Sequence, residues 1–166
     1  LERSYQIARR IDHLPCVWAQ KDLLILDNQN QPTMARDGVV CYEVFEPVQY
    51  LSLSAFIWQN PNLPTLTRLK LIHDLTEGLQ QLHNKANLAH RYLSPEQVVV
   101  ALHPDGTPVP KFRGFRYALL SGYSLPESEP YVTGKFQAPE TVQPCLVKDL
   151  TDWKSADVYT LGVICY

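Results

Sequence analysis

The sequence predicts an α+β chain, in which helical and strand patterns both occur. Three observations carry this reading. Leu66, Leu69, Ile72, Leu75, Leu79 and Leu82 recur every three or four residues, which predicts a long helix with one buried face. Leu23–Asp27 and Val39–Glu46 are strand-like runs on either side of a polar turn region, Asn28-Gln29-Asn30-Gln31-Pro32. Val98–Leu102 and Val109–Phe112 flank His103-Pro104-Asp105-Gly106. There Pro presets φ and Gly supplies the positive φ that closes a β-hairpin.

The remaining elements follow in order. Residues 2–12 carry apolar side chains at Tyr5, Ile7, Ala8 and Ile11, which predicts a helix with one buried face. The Pro- and Ser-rich stretch from Ser121 to Pro130 reads as a loop. Thr160-Leu161-Gly162-Val163-Ile164-Cys165-Tyr166 reads as the end of an apolar helix, and its core-type residues suggest a sequence that continues. No internal repeat is visible.

Composition narrows the classes of function. The length of 166 residues fits one domain or part of a larger one, and 45% hydrophobic residues supply a core. A net charge of −2 argues against nucleic-acid and membrane-surface partners, which favour clustered Lys and Arg. No apolar run approaches the ~20 residues of a membrane span. Leu1-Glu2-Arg3-Ser4 lacks the pattern of a signal peptide. Cys16, Cys41, Cys145 and Cys165 form no Cys-x-x-Cys pair. Cys41 and Cys165 lie in apolar stretches and read as reduced core thiols, so the expected location is cytoplasmic.

Four motifs stand in one order along the chain. His90-Arg91-Tyr92-Leu93-Ser94-Pro95-Glu96-Gln97 resembles the catalytic loop His-Arg-Asp-Leu-x-x-x-Asn of protein kinases. Lys111-Phe112-Arg113-Gly114-Phe115-Arg116 sits where that family has a strand followed by Asp-Phe-Gly, and only the Phe remains. Thr133-Gly134-Lys135-Phe136-Gln137-Ala138-Pro139-Glu140 resembles the end of an activation segment. Lys154-Ser155-Ala156-Asp157-Val158-Tyr159-Thr160-Leu161-Gly162-Val163 resembles the helix that reads Ser-Asp-Val-Trp-Ser-x-Gly-Val. Together they mark the chain as similar to a degenerate member of the protein-kinase-like superfamily, a pseudokinase.

That resemblance implies the middle of a kinase fold, from helix αC to helix αF. Residues 1–46 would be a partial small lobe, with αC and the fourth and fifth strands. Residues 47–166 would be the hinge and a partial, mainly helical large lobe, with αD, αE, the catalytic-loop remnant, the activation segment and αF. Family elements that precede this region, the Gly-rich loop and the strand with the Lys, would lie before Leu1. Counting back from His13 puts Ser4 at the αC glutamate position, with Glu2 nearby.

The resemblance also says which residues carry chemistry. Tyr92, Gln97 and Gly114 replace a base, a metal-binding amide and a metal-binding carboxylate. A phenol of ordinary pKa near ~10 is not a base at neutral pH. Tyr92 reads as a filler of vacated space ahead of a phosphosite. Gly114 leaves developing phosphoryl charge without its metal. Arg116 could stand in for a cation beside a phosphate, although a solvated Arg, or one paired within the activation segment, is the simpler reading. Phe45, Glu46 and Val48 would form the hinge side of an adenine pocket, with Val98 and Val99 beneath the ring. His90 and Phe115 would stack with Ala8 in an apolar column. Arg91 keeps a position that binds a phosphorylated activation segment, with Thr133, Ser121, Tyr123, Ser124, Ser128 and Tyr131 as candidate acceptors. Glu140 would pair with an Arg beyond this chain. Asp157, following Lys154-Ser155-Ala156 at the start of an apolar helix, would accept backbone N–H groups of the catalytic-loop remnant.

The expected function is therefore a catalytically inactive, interaction or regulatory module in signalling. Its partners would be proteins or other domains of the same polypeptide, with neither nucleic acid nor membrane. No catalytic residue, no metal and no obligatory cofactor are expected; ATP stays open as a ligand, and Mg²⁺ is disfavoured. The alternatives are a divergent Ser/Thr-type kinase and an ATP-binding pseudokinase.

Overall fold

The computed structural model describes residues 2–26, 29, 31, 40–45, 49–122, 135–142 and 149–166. In chain order run α1 (Glu2–Ile11), β1 (Gln20–Leu26), β2 (Val40–Phe45), β3 (Tyr50–Ser52), α2 (Leu53–Gln59), α3 (Thr65–Asn84) and β4 (Leu88–Ala89). Then come β5 (Val98–Leu102), β6 (Pro108–Phe112), β7 (Leu119–Leu120) and α4 (Leu150–Cys165), with 3₁₀ turns at Phe115–Tyr117 and Pro139–Thr141. Helix and sheet are mixed as the sequence predicts, in an α+β fold consistent with part of a protein-kinase-like domain.

β1 and β2 pair antiparallel, with Gln20 opposite Phe45 and Leu26 opposite Val40. These are the two strand-like runs, shifted toward the chain start for the first; Asp27, Val39 and Glu46 lie outside the described residues. A second sheet has the order β3-β5-β6, and the short β4 and β7 form a third pair. The β5–β6 hairpin closes as its sequence dictates. Gly106 takes φ +82°, its N–H donates to the His103 carbonyl at 2.8 Å, and the Thr107 N–H donates to Asp105 Oδ1 at 2.8 Å.

A hydrophobic core cluster joins these parts. Ile7 and Ile11 of α1, Leu71, Leu75, Leu79 and Leu82 of α3, Val98 and Val100 of β5, Phe112 of β6 and Leu161 of α4 are all buried in it. The segment after α1 lies beside β6: the Phe112 N–H donates to the Cys16 carbonyl and the Trp18 N–H to the Phe112 carbonyl, each at 2.8 Å. Gly78 permits this approach, since a Cβ there would stand 2.8 Å from Cys16 Cβ. Cys16 is thus a core thiol, and burial pushes its pKa up. Cys165 is half-buried, while Cys145 and the Cys41 side chain lie outside what is described.

The α3 stripe differs from the sequence expectation at its start. Leu66 is 80% exposed and Leu69 57% exposed, Ile72 is half-buried, and Leu71 and Gly78 join the buried face instead. The face at 71, 75, 78, 79 and 82 keeps the helical period, and positions 66 and 69 fall off it. Leu75, Leu79 and Leu82 are buried as the spacing predicts, and the departure is confined to the first half of the helix.

Candidate functional site

Asp157 organises the region that the catalytic-loop motif points to. It lies inside α4, two turns past the start, because the helix begins at a capping box. Asp149 Oδ1 accepts from the amides of Thr151 at 2.7 Å and Asp152 at 3.0 Å, and the Asp149 N–H donates to Asp152 Oδ2 at 3.3 Å. The expectation that Asp157 stands at the helix start is corrected accordingly. Trp153, Ala156, Asp157, Thr160 and Leu161 form the buried face of this helix. Asp157 is 2% exposed, and its carboxylate accepts from the His90 amide at 2.6 Å and from the Arg91 amide at 2.8 Å. His83 Nε2, at the end of α3, reaches the same carboxylate at 3.1 Å. Lys154 fixes that helix end further, donating to the His83 carbonyl at 2.7 Å and to Asn87 Oδ1 at 2.5 Å.

His90 is fully buried between these elements. Its Nε2 faces the Arg113 carbonyl at 2.9 Å and its Nδ1 faces the Tyr92 amide at 3.3 Å. One nitrogen must donate and the other accept, which fixes the neutral Nε2–H tautomer. Burial holds its pKa below the ordinary 6.5, against the opposing pull of Asp157. The imidazole rests on Phe115 with ring centroids 4.9 Å apart, and α1, which carries the buried Ala8, packs against the turn that holds Phe115.

Arg91 occupies left-handed backbone at φ +65°, a conformation that persists only where surroundings over-determine it. Its amide bond to Asp157 does so from one side. On the other, its Nη1 donates to the Tyr117 carbonyl at 3.0 Å, and its guanidinium lies 4.2 Å from the centre of the Trp153 ring. Tyr92 is half-buried and meets the Tyr117 ring edge-on at 5.2 Å. Arg91, Tyr92, Tyr117 and Trp153 line a cleft of about 490 Å³ together with Lys135, Phe136 and Gln137.

Gln97 and Gly114 meet directly. Gly114 takes φ +78° and ψ 46°, and a Cβ built on it would collide with Gln97 Oε1 and stand 2.8 Å from Gln97 Cδ. The residues here do not fit a divalent cation. Gly114 offers no donor, Gln97 fills the direction from which a carboxylate would branch, and Tyr92 brings a phenol in place of a carboxylate. Among the described residues no three His, Cys, Asp or Glu side chains gather to hold a metal.

The other expected site residues stand apart. Arg116 is exposed, 5.5 Å over the Tyr117 ring, and its backbone needs no positive φ. Glu140 is half-buried in the 3₁₀ turn at 139–141. Phe45 ends β2 and is half-buried, whereas Val99 is fully buried in β5, in a different sheet. Glu46, Val48, Thr133, Tyr123, Ser124, Ser128 and Tyr131 lie outside the described residues, as do the side chains of Glu2 and Ser4. Sequence reasoning missed His83, Trp153 and Tyr117. Trp153 had a signal, lying four residues before Asp157 on one helix face. His83 had none, at 74 positions from its partner.

No family model matches the chain. It is similar to several protein kinases. It is 32% identical over 99 residues to human ribosomal protein S6 kinase alpha-4, covering 58% of this chain and 12% of that protein. It is 32% identical over 124 residues to the human mitochondrial serine/threonine-protein kinase PINK1, covering 69% and 21% respectively. It is 28% identical over 140 residues to MAP kinase-interacting serine/threonine-protein kinase 1 of Xenopus tropicalis, covering 78% and 33%. The chain thus spans between 12% and 33% of the length of these relatives. The similarities support a protein-kinase-like domain.

Proposed function

We propose that this chain is a catalytically inactive protein-kinase-like domain, used as an interaction or regulatory module of a signalling protein. One contrast carries the reading. The scaffold bonds around Asp157 are complete, while the three positions that should supply a base and two metal ligands hold Tyr92, Gln97 and Gly114. Phosphoryl transfer depends on positioning and on neutralising charge at the transferred group. A centre with a phenol, an amide and a bare α-carbon supplies neither the base nor the metal site.

In this reading Arg91 serves the fold. Its guanidinium is engaged by Trp153 and the Tyr117 carbonyl, which holds the turn after Gly114 against α4. Partners would be proteins or neighbouring domains, engaged without nucleic acid or membrane, and the location would be cytoplasmic. Among the described residues no helix is long and apolar enough to cross a membrane. A second reading, a divergent Ser/Thr-type kinase, is favoured by one observation: the relatives are named as kinases.

Equilibrium binding of a fluorescent ATP analogue, with Mg²⁺, with Mn²⁺ and with EDTA, tests the proposal. The expected result is either no binding or binding that metal does not strengthen. A tenfold gain in affinity on adding Mg²⁺ would favour the second reading.

A further inference from the structure

We propose that Gln97 and Gly114 are a matched pair, in which the Gln97 amide is seated on the bare Gly114 α-carbon and closes the metal position of this fold. The inference rests on the proposed loss of metal-dependent phosphotransfer and adds its physical cause. Absence of a carboxylate could be a simple deletion, repaired by putting the carboxylate back. The geometry describes something else: the vacated volume is occupied, and by the residue at the other metal-binding position.

Both backbones are held, so the two residues do not separate as rigid bodies. The Gln97 N–H donates to the Ser94 carbonyl at 2.9 Å, and the Arg113 N–H donates to the Gln97 carbonyl at 2.9 Å. One residue further on, Val98 is fully buried and paired with Phe112 across the β5–β6 ladder. Gly114 therefore follows a strand end that is tied to Gln97 itself. Its left-handed backbone aims any added Cβ at the Gln97 amide: Cδ would lie 2.8 Å away and Nε2 3.6 Å away. Asn, one methylene shorter, would place its amide nearer its own backbone and leave that volume clear. Glycine at 114 and glutamine at 97 are thus complementary, and a side chain at 114 requires Gln97 to leave its rotamer.

Two costs arise when a Cβ is added at 114, and they are separable. The left-handed backbone penalises any L side chain whatever stands at 97. The Gln97 overlap exists only while Gln97 is present. A double-mutant cycle isolates the second. Unfolding equilibria would be measured for the full chain and for Gly114→Ala, Gln97→Ala and the double variant. Gly114→Ala is expected to lower the folding constant about fivefold more with Gln97 in place than with Gln97→Ala. A coupling below about 1.5-fold would overturn the pairing. Should Gly114→Ala fail to fold, folding of the double variant alone supports the pair. Should neither fold, the same cycle with Gly114→Asn applies, since Asn tolerates left-handed backbone better.

The metal arm reads binding and needs no turnover. Mn²⁺ relaxation titrations would compare Gly114→Asp with Gln97→Ala/Gly114→Asp, because Ala clears the volume without adding a ligand. The expected result is at least tenfold tighter Mn²⁺ binding by the double variant. Equal binding by Gly114→Asp alone would overturn the proposal. Mn²⁺-nucleotide turnover by the unaltered chain would instead refute the functional reading, while leaving the stability cycle to judge the pair by itself.

Discussion

Replacing Asp157 tests the scaffold half of the account. The carboxylate is 2% exposed and receives two backbone amides, at 2.6 and 2.8 Å, and His83 Nε2 at 3.1 Å. Asp157→Ala leaves those donors buried without an acceptor. Each stranded donor costs about 1–3 kcal/mol, with a charged acceptor toward the upper end. The three share one carboxylate and partly relax together, so the expected total is about 3–5 kcal/mol. Asp157→Asn keeps one carbonyl oxygen for one amide but turns an NH₂ toward the other, so its loss should be about 2–3 kcal/mol. An exposed carboxylate on α4 would be worth about 1 kcal/mol or less, and Asp149 already caps that helix. Urea denaturation followed by circular dichroism reads the difference. With a slope near ~2 kcal/mol per molar, the Asp157→Ala midpoint should fall by about 2 M. Losses of only a few tenths of a kcal/mol in both variants would refute the reasoning.

Other consequences are measurable by the same means. His90 is neutral when folded and its pKa is depressed, so the unfolded chain binds the extra proton; the stability it contributes is complete above pH 6.5 and is lost as pH falls below it. Between pH 7 and 5 unfolding should become easier by at most about 1.4 kcal/mol per unit from this group, and His90→Gln should flatten that slope. Trp153→Leu removes the ring under Arg91 and should cost about 1–3 kcal/mol, with Arg91→Met in that background costing less than in the unaltered chain. Leu75→Ala should cost about 2–5 kcal/mol by opening the core, whereas Leu66→Ala should stay within about 0.5 kcal/mol because Leu66 is 80% exposed.

Local patterns made much of the fold legible. The β5–β6 hairpin was readable because Pro104 and Gly106 dictate the turn through their own φ preferences. The strand pair at 20–26 and 40–45 was readable from its apolar runs, although β1 begins at Gln20, ahead of the run that starts at Leu23. The long helix was legible as an element, but its buried face was not. Leucines outnumber the positions that the core can take, so Leu66 and Leu69 mimicked a stripe that in fact runs through Leu71 and Gly78. The start of α4 is not marked by the Asp157 motif, because its capping signature Asp149-x-x-Asp152 lies upstream of that motif.

The site divides along the same line. That Tyr92, Gln97 and Gly114 are the wrong residue types was visible from the motif frame alone. That Gln97 lies over Gly114 was not, because it depends on the left-handed turn at 114 and on the ladder that ties residue 97 to residue 113. His83 and Asp157 meet only because α3 and α4 are packed together, and no spacing rule connects them.

The most direct test of the central claim is phosphotransfer from radiolabelled ATP, with Mg²⁺ or Mn²⁺, to the full chain and to a broad peptide pool. The account predicts incorporation no greater for the unaltered protein than for Tyr92→Phe/Gln97→Leu, which removes the polar groups left at the centre. Incorporation that is abolished in that folded double variant would contradict it.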